Sequence, residues 1–169
     1  TKETVEDSFS KIIKVAEDHM YRHKLLQSES LYSSIMTSMR TTLFEKSQET
    51  EEHAQRLIQL SKMIGKRMNL TNEKLDELEL LSLLHDIGKI GISDNILNKP
   101  GKLTEEEWVE MKKHPEIGYR IALSTSELTP IAHYILCHHE WWDGKGYPQG
   151  LKGEEIPLLS RILTVVDAY

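Results

Sequence analysis

Five segments of this sequence each deliver a side chain able to bind a metal ion. They are His53, with Glu49 four residues before it; His85-Asp86; His114; His138-His139; and Asp167. Glu49 and His53 are one helical turn apart, so on a helix they share a face and reach one cluster. His85 and Asp86 follow Leu80-Leu81-Ser82-Leu83-Leu84, which carries their backbone into an apolar region. A carboxylate there needs a partner or a metal. Asp167 repeats the logic after Thr164-Val165-Val166. Imidazole and carboxylate without a thiolate set favour first-row metals such as iron or manganese over a cysteine-rich zinc site. Taken singly, each residue has a plainer reading. His114 would cap a helix end, His138-His139 would sit on a polar helix face, and Asp167 and Glu49 would be solvated acids. The joint pattern is what favours a metal centre. His19, His23 and His133 are read as surface or satisfied core histidines, and Cys137 as a small buried residue rather than a nucleophile.

The elements that must position these residues are helices. Residues 1–48 contain no Gly or Pro and carry a loose apolar stripe (Val5, Phe9, Ile12, Ala16, then Leu25, Tyr32, Ile35, Met39, Leu43), which predicts a connector helix between domains, with coiled-coil character. Residues 49–68 predict an amphipathic helix with Ala54, Leu57, Ile58, Met63 and Ile64 inward. Thr71 caps a further helix through Leu75, Leu78, Leu81 and Leu84 into His85-Asp86. Thr104 and Glu107 form a capping box for 105–113. Pro115 starts a helix to about Leu123, and Thr129-Pro130 starts one that carries Cys137, His138 and His139. A turn-rich loop spans Asp143 to Gly150. Pro157 opens a last helix with Leu158, Leu159, Ile162, Val165, Val166 and Tyr169 inward. No segment alternates like a strand, so the fold class is all-α.

Composition narrows the functional classes. The chain has 169 residues, enough for one domain plus a helical extension, with 21 Lys and Arg against 27 Asp and Glu, a net charge of −6. That balance argues against a non-specific DNA binder, yet leaves room for an anionic ligand held by metal ions. No apolar run approaches the ~20 residues of a membrane span. A single cysteine suits a reducing cytoplasm. With no initiator Met and no signal-peptide pattern, the chain reads as a piece of a longer protein.

These residues carry a family resemblance. His85-Asp86-Ile87-Gly88-Lys89-Ile90-Gly91-Ile92 resembles the metal-binding signature of HD-domain phosphohydrolases. His138-His139-Glu140-Trp141-Trp142-Asp143-Gly144-Lys145-Gly146-Tyr147-Pro148 resembles the second signature of the HD-GYP subfamily. Asn98 to Thr104 and His114-Pro115-Glu116-Ile117-Gly118 resemble the stretch between them, so the likeness covers residues 49–169. It implies a helical bundle around a di- or trinuclear metal centre that hydrolyses cyclic di-GMP to pGpG and on to GMP in bacterial signalling. It implies His53, His85, Asp86, His114, His138, His139 and Asp167 as ligands of iron or manganese, with Asp86 as the bridge. Glu49 matches the extra ligand of members that hold three metals. Lys89 matches a lysine that contacts a substrate phosphate. The Gly146-Tyr147-Pro148 loop matches the subfamily's namesake, a wall of the substrate cleft and a meeting point for partners such as GGDEF domains. Arg161 adds positive charge for the substrate. The guanine would stack on Tyr147, Trp141 or Trp142, with core packing as the plainer role of both tryptophans.

Family members continue past the Asp167-Ala168 position into a basic stretch that helps hold the phosphates, so the domain is expected to be truncated at Tyr169. Upstream, residues 16–24 weakly resemble the closing helix of a GGDEF domain, which makes 1–48 its tail and connector and a route to a homodimer. Two other readings compete: a broader nucleotide phosphohydrolase, and a non-catalytic cyclic-dinucleotide sensor or docking module.

Overall fold

A computed structural model describes residues 34, 37–46 and 50–169. Glu49, residues 16–24 and most of the expected connector lie outside the described residues. Residues 40–169 make one compact unit. The all-α expectation holds: the regular elements described are α1 (residues 37–46), α2 (Glu51–Arg67), α3 (Asn72–Leu84), a 3-10 turn (Ile87–Gly91), α4 (Asp94–Leu97), α5 (Glu105–Met111), α6 (His114–Leu123), α7 (Thr129–Leu136), a second 3-10 turn (Gly153–Glu155) and α8 (Leu158–Asp167). No helix among the described residues is long and apolar enough to cross a membrane.

Local chemistry fixes where the helices start. Thr50 accepts the His53 N–H at 3.1 Å, so α2 begins at Glu51 rather than Glu49, with Glu51 and Glu52 at its positive end and Lys66 and Arg67 at its negative end. Thr71 caps α3. The expected capping box opens α5, with the Glu107 N–H 3.3 Å from Thr104 Oγ1 and the Thr104 N–H 2.7 Å from Glu107 Oε2.

Helix α3 sits at the centre, packed against α2, α7 and α8, while α6 packs on α7 and on the first 3-10 turn. Leu78, Leu81 and Leu84 of α3 are fully buried with Leu57, Ile131, Ile135 and Leu163, each contributing roughly 1.5–3 kcal/mol of burial. Leu43 of α1 joins this core, and Lys46 Nζ donates to the Ile90 carbonyl at 2.7 Å.

Four expectations need correcting. Met63 is 50% exposed because α2 buries Ala54, Leu57, Ser61 and Gly65, a face that Met63 misses. Val165 is 65% exposed and Tyr169 is 91% exposed, since α8 buries Leu159, Ile162, Leu163 and Val166 instead. Helix α7 stops at Leu136, so Cys137, His138 and His139 lie in the turn beyond it. Trp141 and Trp142 are 53% and 61% exposed, which overturns core packing for both.

The tightest backbone approach in the fold is at Gly88. A Cβ there would lie 1.8 Å from the His114 carbonyl oxygen and 2.5 Å from the Gly118 nitrogen, both backbone atoms that no rotamer change can move. Only glycine lets the first 3-10 turn lie directly on α6, which brings Asp86 beside His114. Gly88→Ala is expected to cost roughly 3 kcal/mol by overpacking. Thermal unfolding should record a lowered midpoint.

Candidate metal centre

Three histidines reach the same point by the same device. Each lies just past or near the C-terminal end of a helix, where the last carbonyls have no intrahelical partner. His85 Nδ1 is 3.2 Å from the Ser82 carbonyl of α3, His114 Nδ1 is 2.9 Å from the Met111 carbonyl of α5, and His138 Nδ1 is 2.6 Å from the Ile135 carbonyl of α7. A carbonyl only accepts, so Nδ1 carries the proton in all three. In a neutral imidazole this leaves the Nε2 lone pair pointing away from the helix.

Those lone pairs converge on Asp86. Its Oδ1 lies 3.1 Å from His114 Nε2 and 3.8 Å from His138 Nε2, and its Oδ2 lies 3.2 Å from His85 Nε2. His114 Nε2 and His138 Nε2 are 3.3 Å apart. One ligand atom each from Asp86, His114, His138 and His139 fits within 4.8 Å. Asp86 Oδ1 is buried and has no well-aligned hydrogen-bond donor among the described residues, despite the nearby imidazoles. Acceptor atoms gathered this closely repel one another unless a cation joins them. A proton on His138 or His139 is not that cation at neutral pH. Burial pushes the His138 imidazole down, and burial with the neighbouring His138 and His114 pushes His139 down to about 2. Burial alone would raise the Asp86 carboxyl, but His85, His114 and His138 outweigh it and hold it well below the usual carboxylate range. An ionised carboxylate facing several imidazole Nε2 atoms is a donor set able to hold a divalent metal.

The remaining expected residues are placed as follows. His53 of α2 and Asp167 of α8 face each other, Nε2 to Oδ1, at 3.3 Å. They are outside the four-residue cluster, but α8 is tied to it, because Thr164 Oγ1 donates to the His138 carbonyl at 2.7 Å. Lys89, one turn after Asp86, puts Nζ 2.7 Å from Asp86 Oδ2. Arg161 lies elsewhere on α8. Its guanidinium is 5.7 Å over the Trp142 ring, beside a cavity of about 250 Å³ bounded by Trp141, Trp142, Ile156 and Val165.

The Gly146-Tyr147-Pro148 loop folds onto the cluster. Tyr147 stacks on His139 with ring centres 4.8 Å apart and planes at 24°, and stands edge-on to His114 at 6.5 Å. Gly146 is required there, because a Cβ would lie 2.2 Å from the Trp141 nitrogen and 2.5 Å from the His139 carbonyl. Burial raises the Tyr147 phenol, so it remains a hydrogen-bond donor.

Sequence reasoning passed over the residue that holds this loop. Glu140 is buried, and its carboxylate accepts the N–H groups of Gln149, Gly150 and Leu151 at 2.7, 3.2 and 2.9 Å. The available signal was an acid directly after two histidines and before a turn-rich loop whose backbone N–H groups need acceptors. Glu140→Gln should loosen the loop, since charge-assisted bonds of about 1.5–3 kcal/mol become neutral or are lost. Hydrogen exchange at residues 149–151 should then speed up at least tenfold, by roughly 1.4 kcal/mol, while exchange in α3 stays as it was.

A family model described as HD domain matches residues 37–169. A cyclic di-GMP phosphodiesterase of Thermotoga maritima is 40% identical over 172 residues, 89% of this chain and 47% of that protein. The cyclic di-GMP phosphodiesterase response regulator RpfG of Xanthomonas campestris is 44% identical over 71% of this chain and 32% of its own length. The 3'3'-cGAMP-specific phosphodiesterase 2 of Vibrio cholerae is 40% identical over 73% of this chain and 24% of its own. The chain thus spans less than half the length of these relatives. The match across residues 37–169, with the His85-Asp86 pair at the cluster and the Gly146-Tyr147-Pro148 loop laid over it, places the chain in the HD domain family, as a member of its HD-GYP type.

Proposed function

We propose that this domain is a metal-dependent phosphodiesterase that hydrolyses cyclic di-GMP to pGpG and further to GMP. The observation that carries the reading is the Asp86 carboxylate, buried between the Nε2 atoms of three imidazoles and the Lys89 ammonium. The names of several relatives, which act on cyclic di-GMP, support the choice of substrate. A second substrate reading, 3'3'-cGAMP, is favoured by the relatives named for that dinucleotide.

His53, His85, Asp86, His114, His138, His139 and Asp167 would hold iron or manganese ions, with Asp86 presenting one oxygen to His114 and His138 and the other to His85 and Lys89. When bound, such ions supply Lewis acidity toward a phosphoryl oxygen and a water of lowered pKa. The Nδ1 bonds to helix carbonyls keep the imidazoles oriented with Nε2 inward. Lys89, held at Asp86, is positioned to offset negative charge building on the phosphate oxygens during hydrolysis. Tyr147 covers His139, limits water access from that side, and offers its phenolic proton to a phosphate or ribose oxygen. The 3′ oxygen of the ribose leaves as the phosphorus–oxygen bond breaks, and water supplies the new oxygen on the 5′ phosphate.

The test is turnover by the protein with its natural flanking sequence, loaded under reducing conditions with Fe(II) or Mn(II), with pGpG followed by chromatography. The wild type should release pGpG. Asp86→Ala should lose activity and most bound metal while its helical circular dichroism persists. Lys89→Ala should keep its metal and turn over at least tenfold more slowly, as expected for removing one charge-stabilising donor. A loaded wild type without turnover, or a folded Asp86→Ala protein with full metal content, overturns the reading.

Glu49 sets the expected metal count. Its place four residues before His53 in the sequence, and its match to the extra ligand of three-metal family members, support a third ion, so metal analysis of a saturated sample should return about three ions per chain, and Glu49→Ala about two. A wild type that saturates at two overturns the role given to Glu49.

A further inference from the structure

The end of α5 places a cation beside the metal centre for which the proposed chemistry has no use. Lys112 follows the last residue of α5, and its N–H bonds the Trp108 carbonyl at 3.0 Å, so Trp108 and Lys112 share one face. Lys112 Nζ lies 5.7 Å from the Trp108 ring centre and 5.4 Å from that of Tyr147, within cation–π range of both. Tyr147 in turn is the ring stacked on His139. The adjacent Lys113 differs entirely: it is exposed and paired with Glu110.

Two aromatic faces attract an ammonium without accepting its hydrogen bonds in the manner of oxygen lone pairs. Among the described residues, no carboxylate lies within 4.0 Å of Lys112 Nζ and no oxygen accepts from it. Lys89 is on Asp86 at 2.7 Å and Lys145 is on Asp143 at 3.3 Å, while Arg161 lies over Trp142, beside the cavity bounded by Trp141, Trp142, Ile156 and Val165, rather than over Tyr147. Lys112 is thus a positive charge fixed at the rim of the cluster, with its N–H donors left for an anionic ligand.

Resting on the cyclic-dinucleotide reading above, we propose that Lys112 binds the phosphate of the substrate that is not being cleaved. A cyclic dinucleotide carries two phosphates on one ring. With one at the Asp86 cluster, the other needs a cation outside that cluster, and the Trp108–Lys112–Tyr147 stack supplies it. Lys112 then selects two-phosphate substrates over simple diesters.

The test compares cyclic di-GMP with bis(p-nitrophenyl) phosphate, which has a single phosphate. Lys112→Met should raise KM for cyclic di-GMP about tenfold, the loss expected for one charge-assisted phosphate contact, with kcat little changed. The ratio of kcat/KM for cyclic di-GMP to that for the simple diester should fall by the same factor, with metal content as in the wild type. Binding of pGpG, which retains the uncleaved phosphate, should weaken equally in equilibrium dialysis against metal-free protein, which does not turn it over. Lys112→Arg should recover most of the loss. Trp108→Leu, which removes one ring and leaves the proposed ligands and Tyr147 alone, should give a smaller rise in KM. An unchanged KM in Lys112→Met overturns the proposal. Equal losses on both substrates overturn it too, because Lys112 would then act only by propping Tyr147. A wild type that cleaves the simple diester but neither cleaves nor binds cyclic di-GMP overturns the substrate reading and this inference with it.

Discussion

Three helix C-termini converge on one buried carboxylate, Asp86, and the packing around it follows from that convergence. Helices α3, α5 and α7 each end with carbonyls that no further helical residue can satisfy, and in each case a histidine of the same chain segment takes one of them through Nδ1. One contact per helix therefore does two jobs: it finishes the helix and fixes the imidazole with Nε2 toward Asp86. The negative ends of the helix dipoles also point at this region, which adds to the attraction for a cation.

The arrangement explains why the surrounding packing is so tight. Asp86 must sit at the bottom of an apolar helix to be desolvated, and it must also touch side chains from α6 and from the turn after α7. Gly88 permits the first contact by letting the 3-10 turn lie on α6. Thr164 braces the second by donating to the His138 carbonyl. A buried carboxylate also organises the neighbouring loop: Glu140 gathers three consecutive backbone N–H groups, so the chain after Tyr147 is pinned without secondary structure. Tyr147 is consequently held against His139 by its own backbone, whose N–H donates to the His139 carbonyl at 3.1 Å.

Charge is distributed with the same economy. The chain is acidic overall, yet the cations near the signatures are held in place by aromatic rings or carboxylates. Lys89 is held by Asp86, and Lys112 by the rings of Trp108 and Tyr147. Positive charge is therefore presented at defined points rather than as a broadly basic surface.

Much of this was legible in the sequence. Helix starts at Thr71 and Thr104, the all-α class and the gathering of His85, Asp86, His114, His138 and His139 follow from capping chemistry, apolar spacing and motif order, all of which act locally along the chain. Other features were not legible. Val165 and Met63 carry apolar side chains on faces that the partner helices do not cover, and no spacing rule states which flank of a helix a neighbour will take. His138 and His139 lie beyond α7, which ends at Leu136 with the Ile135 carbonyl bonded to the His138 imidazole. The partners of Glu140 and Lys112 were not legible either, since an acid or a lysine is assigned its partners only by chain segments that return from elsewhere. Local rules along the chain suffice for the helices and the donor atoms at their ends. Which charge faces which ring, oxygen or N–H emerges only on folding, because those pairings depend on contacts between residues far apart in the chain.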